Sequence, residues 1–231
     1  MISGRAFAEL CQWVVEPRYP DLPRYTLAAR NGDRVFLNGD LVYAFVPKMF
    51  KKHVFIVHNS DQSFDEPKLR ALLPYAHHIY AANTTVHHSQ LTTIPLGFAD
   101  KQVAWAQTFR PTHVPRNIRV YANFLLNTNP VKRQECLDAA PSDAMIKSGV
   151  PLDEYRSDLC ASRFVLCPEG TGMDTHRVYE ALLCGATPVV LRSALTPLYA
   201  NYPICVVDSW TDAYVEPPSR SVQFRAAAYI R

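Results

Sequence analysis

Eight short apolar runs, each closed by polar residues, constrain this chain more than any other feature. They fall at 35–37, 54–57, 78–82, 91–98, 119–126, 163–167, 187–191 and 204–207. All are rich in β-branched and aromatic residues and apolar nearly throughout. That pattern suits parallel strands covered on both faces. The longest continuous apolar stretches are about five residues, far short of the roughly 20 that a membrane helix needs. Helical patterns lie between the runs. One opens the chain at 7–15. A second starts at Asp65-Glu66-Pro67, with acids at the positive end of the helix dipole and proline in the first turn. Asn129-Pro130 caps and starts a third, which runs to about residue 139. The fourth spans 151–162. The fifth is expected to be capped by Asp174 and to end at Gly185. Strands alternating with helices predict a doubly wound α/β fold.

The pattern lapses between 99 and 117, where Pro111 and Pro115 stand, leaving about four strands on either side. Two small Rossmann-like domains follow, 1–112 and 113–208, with mainly parallel sheets facing across a cleft. The segment 209–231 is expected to be helical and to pack back on the N-terminal domain. The 231 residues are 48% hydrophobic and 19% charged, which excludes a disordered chain. The net charge of +3 is too small to demand nucleic acid as a partner. The first 16 residues carry no signal-peptide pattern, and the six cysteines form no C-x-x-C pair, so a cytoplasmic protein with buried thiols is expected.

The richest stretch is 162–191, SRFVLCPEGTGMDTHRVYEALLCGATPVVL. A buried strand enters the loop Pro168, Glu169, Gly170, Thr171, Gly172, which delivers the chain to a helix start at Asp174-Thr175. Glycines permit close backbone approach to a ligand, and free N–H groups of a first helical turn favour anions. His176 and Glu180 are four apart and Arg177 and Glu180 three apart, so these side chains share a helix face. A carboxylate one turn into such a helix suits the hydroxyls of a ribose, and Arg177 suits a phosphate. The same spacing also fits an ordinary strand–loop–helix with a surface Glu–His or Glu–Arg pair.

This stretch resembles the nucleotide-sugar-binding segment of exostosin-like glycosyltransferases. Ser162, Phe164, Cys167, Pro168, Gly170, Gly172, Asp174, Thr175, His176, Arg177, Glu180, Ala181, Leu182, Gly185 and Pro188 stand in matching places. A second stretch, 120–133, VYANFLLNTNPVKR, is similar to the strand and loop that open the C-terminal domain in that family. The resemblance implies a GT-B fold whose C-terminal domain binds the donor, with a UDP-sugar favoured. Asn127, Thr128 and Arg133, with Glu169 to Gly172, Asp174, Thr175, His176, Arg177 and Glu180, are then the donor-binding residues. In the N-terminal half, VFIVHNSD at 54–61 resembles the family's strand ending in a His-Asn-Ser-Asp loop. Asp61 is expected as the catalytic base, with His58 as the alternative, and Asn59, Ser60 and Asn83 on the acceptor side. The better-known members are longer and membrane-anchored, so a compact bacterial, phage or viral relative is implied.

The expected activity is transfer of a sugar from a nucleotide sugar to an acceptor hydroxyl, inverting and independent of metal. No Asp-x-Asp motif occurs. The pairs His77-His78 and His87-His88 point to opposite faces of a strand and do not readily chelate one ion. No metal or other cofactor is therefore expected beyond the nucleotide-sugar co-substrate. Two alternatives stand beside this reading. The same chemistry fits hydroxymethylated bases of phage or viral DNA, with Lys48, Lys51, Lys52, Lys68, Arg70 and the paired histidines as phosphate contacts and Trp105 and Phe109 as stacking surfaces. A nucleotide- or sugar-binding module without catalysis is the other.

Overall fold

The computed structural model describes residues 1–110, 114–218, 222 and 224–230. The chain is α/β and divides into two units. Unit 1 comprises Met1–Val103 with Phe224–Arg231, and unit 2 Ala104–Gln223. The boundary expected between 112 and 113 lies outside the described residues. No helix among the described residues is long and apolar enough to cross a membrane.

Unit 1 holds a five-stranded parallel sheet: β1 (Trp13–Val15), β2 (Arg34–Asn38), β3 (His53–His58), β4 (Ala76–Ala81) and β5 (Leu91–Thr93), ordered as in the sequence. Strand periodicity splits its core in two. Val35, Leu37, Phe55 and Val57 face helices α2 (Val42–Phe45) and α3 (Glu66–Leu72), while Phe36 and Ile56 face the opposite layer. That layer is built from Ile2, Phe7 and Ala8 of α1 (Gly4–Ala8) and its lead-in, with Ala226 and Ile230. Asp65 accepts from the Lys68 amide and Pro67 sits in the first turn, so α3 starts as its sequence predicts.

Two expectations fail within unit 1. The helix expected over 7–15 is only α1, capped by Ser3, and 13–15 pairs as β1. The run at 91–98 is a strand only over its first three residues. Near the other end, 209–231 contains a single 3-10 turn, Ala226–Ala228, as its only helical element among the described residues.

Unit 2 begins with α4 (Val103–Thr108), whose first residue belongs to unit 1. Its sheet is built from β6 (Ile118–Asn123), β7 (Met145–Lys147), β8 (Ser162–Leu166), β9 (Thr187–Leu191) and β10 (Cys205–Val207), all parallel, in the order β10-β9-β8-β6-β7. Helices α5 (Pro130–Asp138), α6 (Leu152–Ala161), α7 (His176–Leu183) and α8 (Thr196–Tyr199) connect them. The chain leaves β6 toward β7 on one side and leaves β8 toward β9 on the other. The carboxyl ends of β6 and β8 are therefore a topological switch point, the place where open parallel sheets leave a crevice.

Candidate functional site

Two loops meet at that switch point, 124–129 after β6 and 167–175 after β8. They are stitched together by polar contacts. Asn129 Nδ2 donates to the Gly170 carbonyl at 3.0 Å, and Asn129 Oδ1 caps α5 by accepting from the Lys132 amide. Thr171 Oγ1 donates to the Thr128 carbonyl at 3.4 Å, and Lys132 forms an ion pair with Glu169. Glu169 thus ties the second loop to the first turn of α5.

Arg133 and Arg177 enter this frame from α5 and α7. Both guanidiniums lie over the Phe124 ring, at 5.7 and 5.2 Å from its centre. Arg133 is 7% exposed; its Nε donates to the Glu169 carbonyl at 3.1 Å and its Nη1 to the Leu125 carbonyl. Burial, and then the like charge of Arg177, push its pKa below the ordinary arginine value. Arg177 Nε donates to the Asn123 carbonyl at 3.0 Å, while its Nη1 is buried with no partner. Among the described residues neither arginine pairs with a carboxylate.

Thr175 at the N-cap of α7 adds a second buried orphan, its Oγ1. A methyl on Gly170 would stand 3.0 Å from Arg133 Nη2 and 3.5 Å from Thr128 Oγ1, so the missing side chain leaves space directly against both donors. Asn127 and Thr128 are exposed, Thr171 is exposed, and Gly172 and His176 are half-buried. Two guanidiniums over one ring, a buried hydroxyl without a partner and the N-terminus of α7 are the kinds of group an anion site uses.

Glu180 lies one turn into α7 and is 7% exposed. Its Oε2 accepts from the Tyr155 hydroxyl at 2.7 Å, and its Oε1 has no hydrogen-bond partner among the described residues. Arg177, Glu180 and Asp174 all act electrostatically on Cys167, at the end of β8. Burial pushes that thiol up to about 12, so it remains protonated and inert.

Asp174 behaves differently from its expected role as a cap. Thr175 occupies the N-cap, without a side-chain capping bond, and Asp174 is buried. Its Oδ2 accepts from the Tyr179 hydroxyl and its Oδ1 from the Tyr199 hydroxyl, the latter at 3.0 Å. The carboxylate therefore clamps the loop onto α7 and α8. Burial and the charge of Asp174 push both tyrosines well above their ordinary pKa, which keeps them as donors. Gly185, at φ 73°, ends α7: its N–H reaches the Leu182 carbonyl, and the Ala186 N–H reaches the Ala181 carbonyl.

In unit 1 the expected residues gather at the carboxyl end of its sheet. Asp61 is exposed on the loop after β3. His58 is 3% exposed, with Nδ1 2.9 Å from Asn59 Oδ1 and Nε2 3.3 Å from the Pro95 carbonyl. Asn59 and Asn83 adopt left-handed backbone conformations, φ 60° and 55°. Ser60 Oγ donates to Asp40 Oδ1 at 2.5 Å. The centre of this cluster is a residue the sequence reading passed over, Glu16. Its Oε2 accepts from Arg18 Nη2 at 2.9 Å, Asn38 Nδ2 at 2.9 Å and Asn59 Nδ2 at 2.8 Å. Burial alone would raise the Glu16 pKa, but the bonds from Arg18, Asn59 and Asn38 hold it below the usual carboxylate value. Among the described residues, no three His, Cys, Asp or Glu side chains come together as a metal site.

The RXYLT1 C-terminal domain family matches residues 104–208. The match starts at the first residue of unit 2 and runs just past β10, so it takes in the whole sheet and both crevice loops. The chain is similar to that family over this unit. No curated protein matches the chain.

Proposed function

We propose that this protein is a glycosyltransferase that uses a nucleotide sugar, UDP-linked in first choice, and that unit 2 holds the donor. The observation that carries the reading is the pair Arg133, buried, and Arg177, half-buried, both over Phe124 without a carboxylate among the described residues, with Arg177 Nη1 buried and orphaned. Burying unpaired like charges costs stability, and an anionic ligand offsets that cost. A diphosphate supplies charge for both guanidiniums, and Glu180 lies within reach of hydroxyls beyond it. The similarity to the RXYLT1 C-terminal domain, whose family is related to exostosin-like glycosyltransferases, supports the same chemistry.

In the proposed step the acceptor hydroxyl oxygen bonds to the anomeric carbon as the bond from that carbon to the diphosphate oxygen breaks. The electron pair leaves with the nucleoside diphosphate. Arg133, Arg177, Thr128 and the first amides of α7 stabilise its charge without a metal. The hydroxyl proton passes to Asp61, the exposed carboxylate of unit 1's His-Asn-Ser-Asp loop, and attack opposite the leaving group inverts the anomeric centre. His58 is less suited, because both its ring nitrogens already face oxygen acceptors.

The test combines ligand binding with turnover. A bound nucleotide at about 100 times its Kd should stabilise the fold by roughly 2.7 kcal/mol, visible in a melting panel of UDP, GDP, dTDP and CMP. Asp61→Asn should cut transfer or donor hydrolysis by on the order of 100-fold or more and leave that stabilisation intact. Full turnover by this variant removes Asp61 from the role. Stabilisation with no turnover by the wild type toward any glycan or hydroxymethylated DNA acceptor leaves a binding module.

A further inference from the structure

We propose that Tyr155 is a positioning residue that aims Glu180, and that the pair sets a preference for ribose over 2′-deoxyribose in the bound nucleotide. The inference rests on the reading of unit 2 as the donor site. Tyr155 comes from α6, a helix that contributes none of the expected site residues. Its hydroxyl donates to Glu180 Oε2 at 2.7 Å, and its ring lies 6.4 Å from that of Tyr121, tilted by 33°.

The chemistry of the pair is one-sided. Glu180 has no cationic partner among the described residues, and the Tyr155 bond is the only hydrogen bond to its carboxylate there. A largely buried carboxylate held by one neutral donor is under-satisfied, since two oxygens offer about four lone-pair sites. Burial and the charge of Glu180 hold the Tyr155 pKa well above its usual value, so the phenol stays a donor. With Oε2 fixed, the carboxylate plane is fixed, and Oε1 is left as the acceptor for a ligand. Adjacent ribose hydroxyls are donors of the kind this oxygen lacks. Without the phenol the carboxylate gains rotamers, and its aim at a hydroxyl is lost while Arg133 and Arg177 keep theirs.

The experiment compares the affinities of UDP, 2′-deoxy-UDP and inorganic diphosphate for the wild type, Tyr155→Phe and Glu180→Gln, with GDP and 2′-deoxy-GDP as a second pair. The wild type should bind the ribonucleotide about tenfold tighter than its deoxy partner, the size of one charge-assisted hydrogen bond. In Tyr155→Phe that ratio should fall below about threefold while inorganic diphosphate binds as before. Glu180→Gln, which leaves Tyr155 in place, should lose the preference too. An unchanged ratio in either variant overturns the proposal. So does an equal loss for ribonucleotide, deoxynucleotide and inorganic diphosphate, which marks a structural role. If the wild type binds neither ribonucleotide, the donor reading itself falls, and the proposal with it.

Discussion

Both units are five-stranded parallel sheets, yet their carboxyl ends are finished in opposite ways. Unit 1 adds its strands in sequence order, so its sheet never reverses. Its carboxyl end is closed by its own side chains: Glu16 takes three side-chain bonds on one oxygen, and Asn59 is held by Glu16, Tyr19 and His58. Unit 2 reverses between β6 and β8. There the polar groups are left over: Arg177 Nη1 and Thr175 Oγ1 are buried without partners, and two arginines share one ring. Buried polar groups in folded proteins are nearly always satisfied. A fold that completes one sheet end and leaves the other incomplete points to where a ligand finishes the structure.

Removing a leftover charge gives the largest expected effect. Arg177→Ala, and separately Arg133→Ala, should weaken nucleoside diphosphate binding by on the order of 100-fold, the upper range for a hydrogen bond to a charged group. For Arg177→Ala the unfolding free energy should change by less than about 1 kcal/mol, because the lost bond to Asn123 is offset by relief of the repulsion. Calorimetric titration and denaturant melts read the two quantities separately. Binding at wild-type strength, or a variant that no longer folds, breaks the contrast between the units.

Glycines sharpen it. A methyl on Gly4 would stand 1.8 Å from Asn59 Oδ1. Asn59 is anchored on several sides, so Gly4→Ala should destabilise the protein by about 1–3 kcal/mol or more through overpacking. A methyl on Gly170 would meet only the ends of Arg133 and Thr128, at 3.0 and 3.5 Å, and both can yield. Gly170→Ala should keep its stability within about 1 kcal/mol and lose roughly fivefold in nucleotide affinity as the cradle fills. The comparison fails if the two variants exchange phenotypes.

What the sequence revealed follows the same division. Buried strands announce themselves because both faces are apolar, and the capping residues of α3 and α5 act locally. Thus β2, β3, β4, β6, β8, β9 and β10 were legible, as were the starts of both helices. The strand β1 was hidden because Trp13-Val14-Val15 continues the apolar pattern of Phe7 and Leu10. Glu16 was lost with it, although a charged residue directly after a three-residue apolar run is the signal that marks a strand end. The edge strand β7 is largely exposed and carries no buried pattern. Arg177 and Glu180 stood out through helical spacing. Phe124 as the platform of Arg177, Tyr155 as the partner of Glu180, and the capture of Asp174 by Tyr199 depend on chain folding over separations of 25 residues or more. Asp174 looked like a cap because Asp-Thr before a helix usually is one; the two tyrosines make a stronger claim on its carboxylate.

A pH-dependent test probes the closed end of unit 1. Bonds from Arg18, Asn38 and Asn59 hold the Glu16 carboxyl below its usual value despite burial. Its contribution to stability is then full above the unfolded pKa of about 4.3 and is lost as pH falls through the lower folded value. Other carboxylates are also held low, Asp33 and Asp143 among them, so acid melting of the wild type alone does not isolate Glu16. The difference between wild type and Glu16→Gln does. Glutamine turns an amide donor toward donors that need an acceptor, so the variant should be less stable near neutrality by about 1–3 kcal/mol. As pH falls through the lowered folded value the wild type protonates Glu16 and loses the same charge-assisted bonds, so the two stability curves should converge. A gap that stays constant from pH 7 to pH 3 would mean that Glu16 acts through shape alone, and the closed end of unit 1 would not depend on its charge.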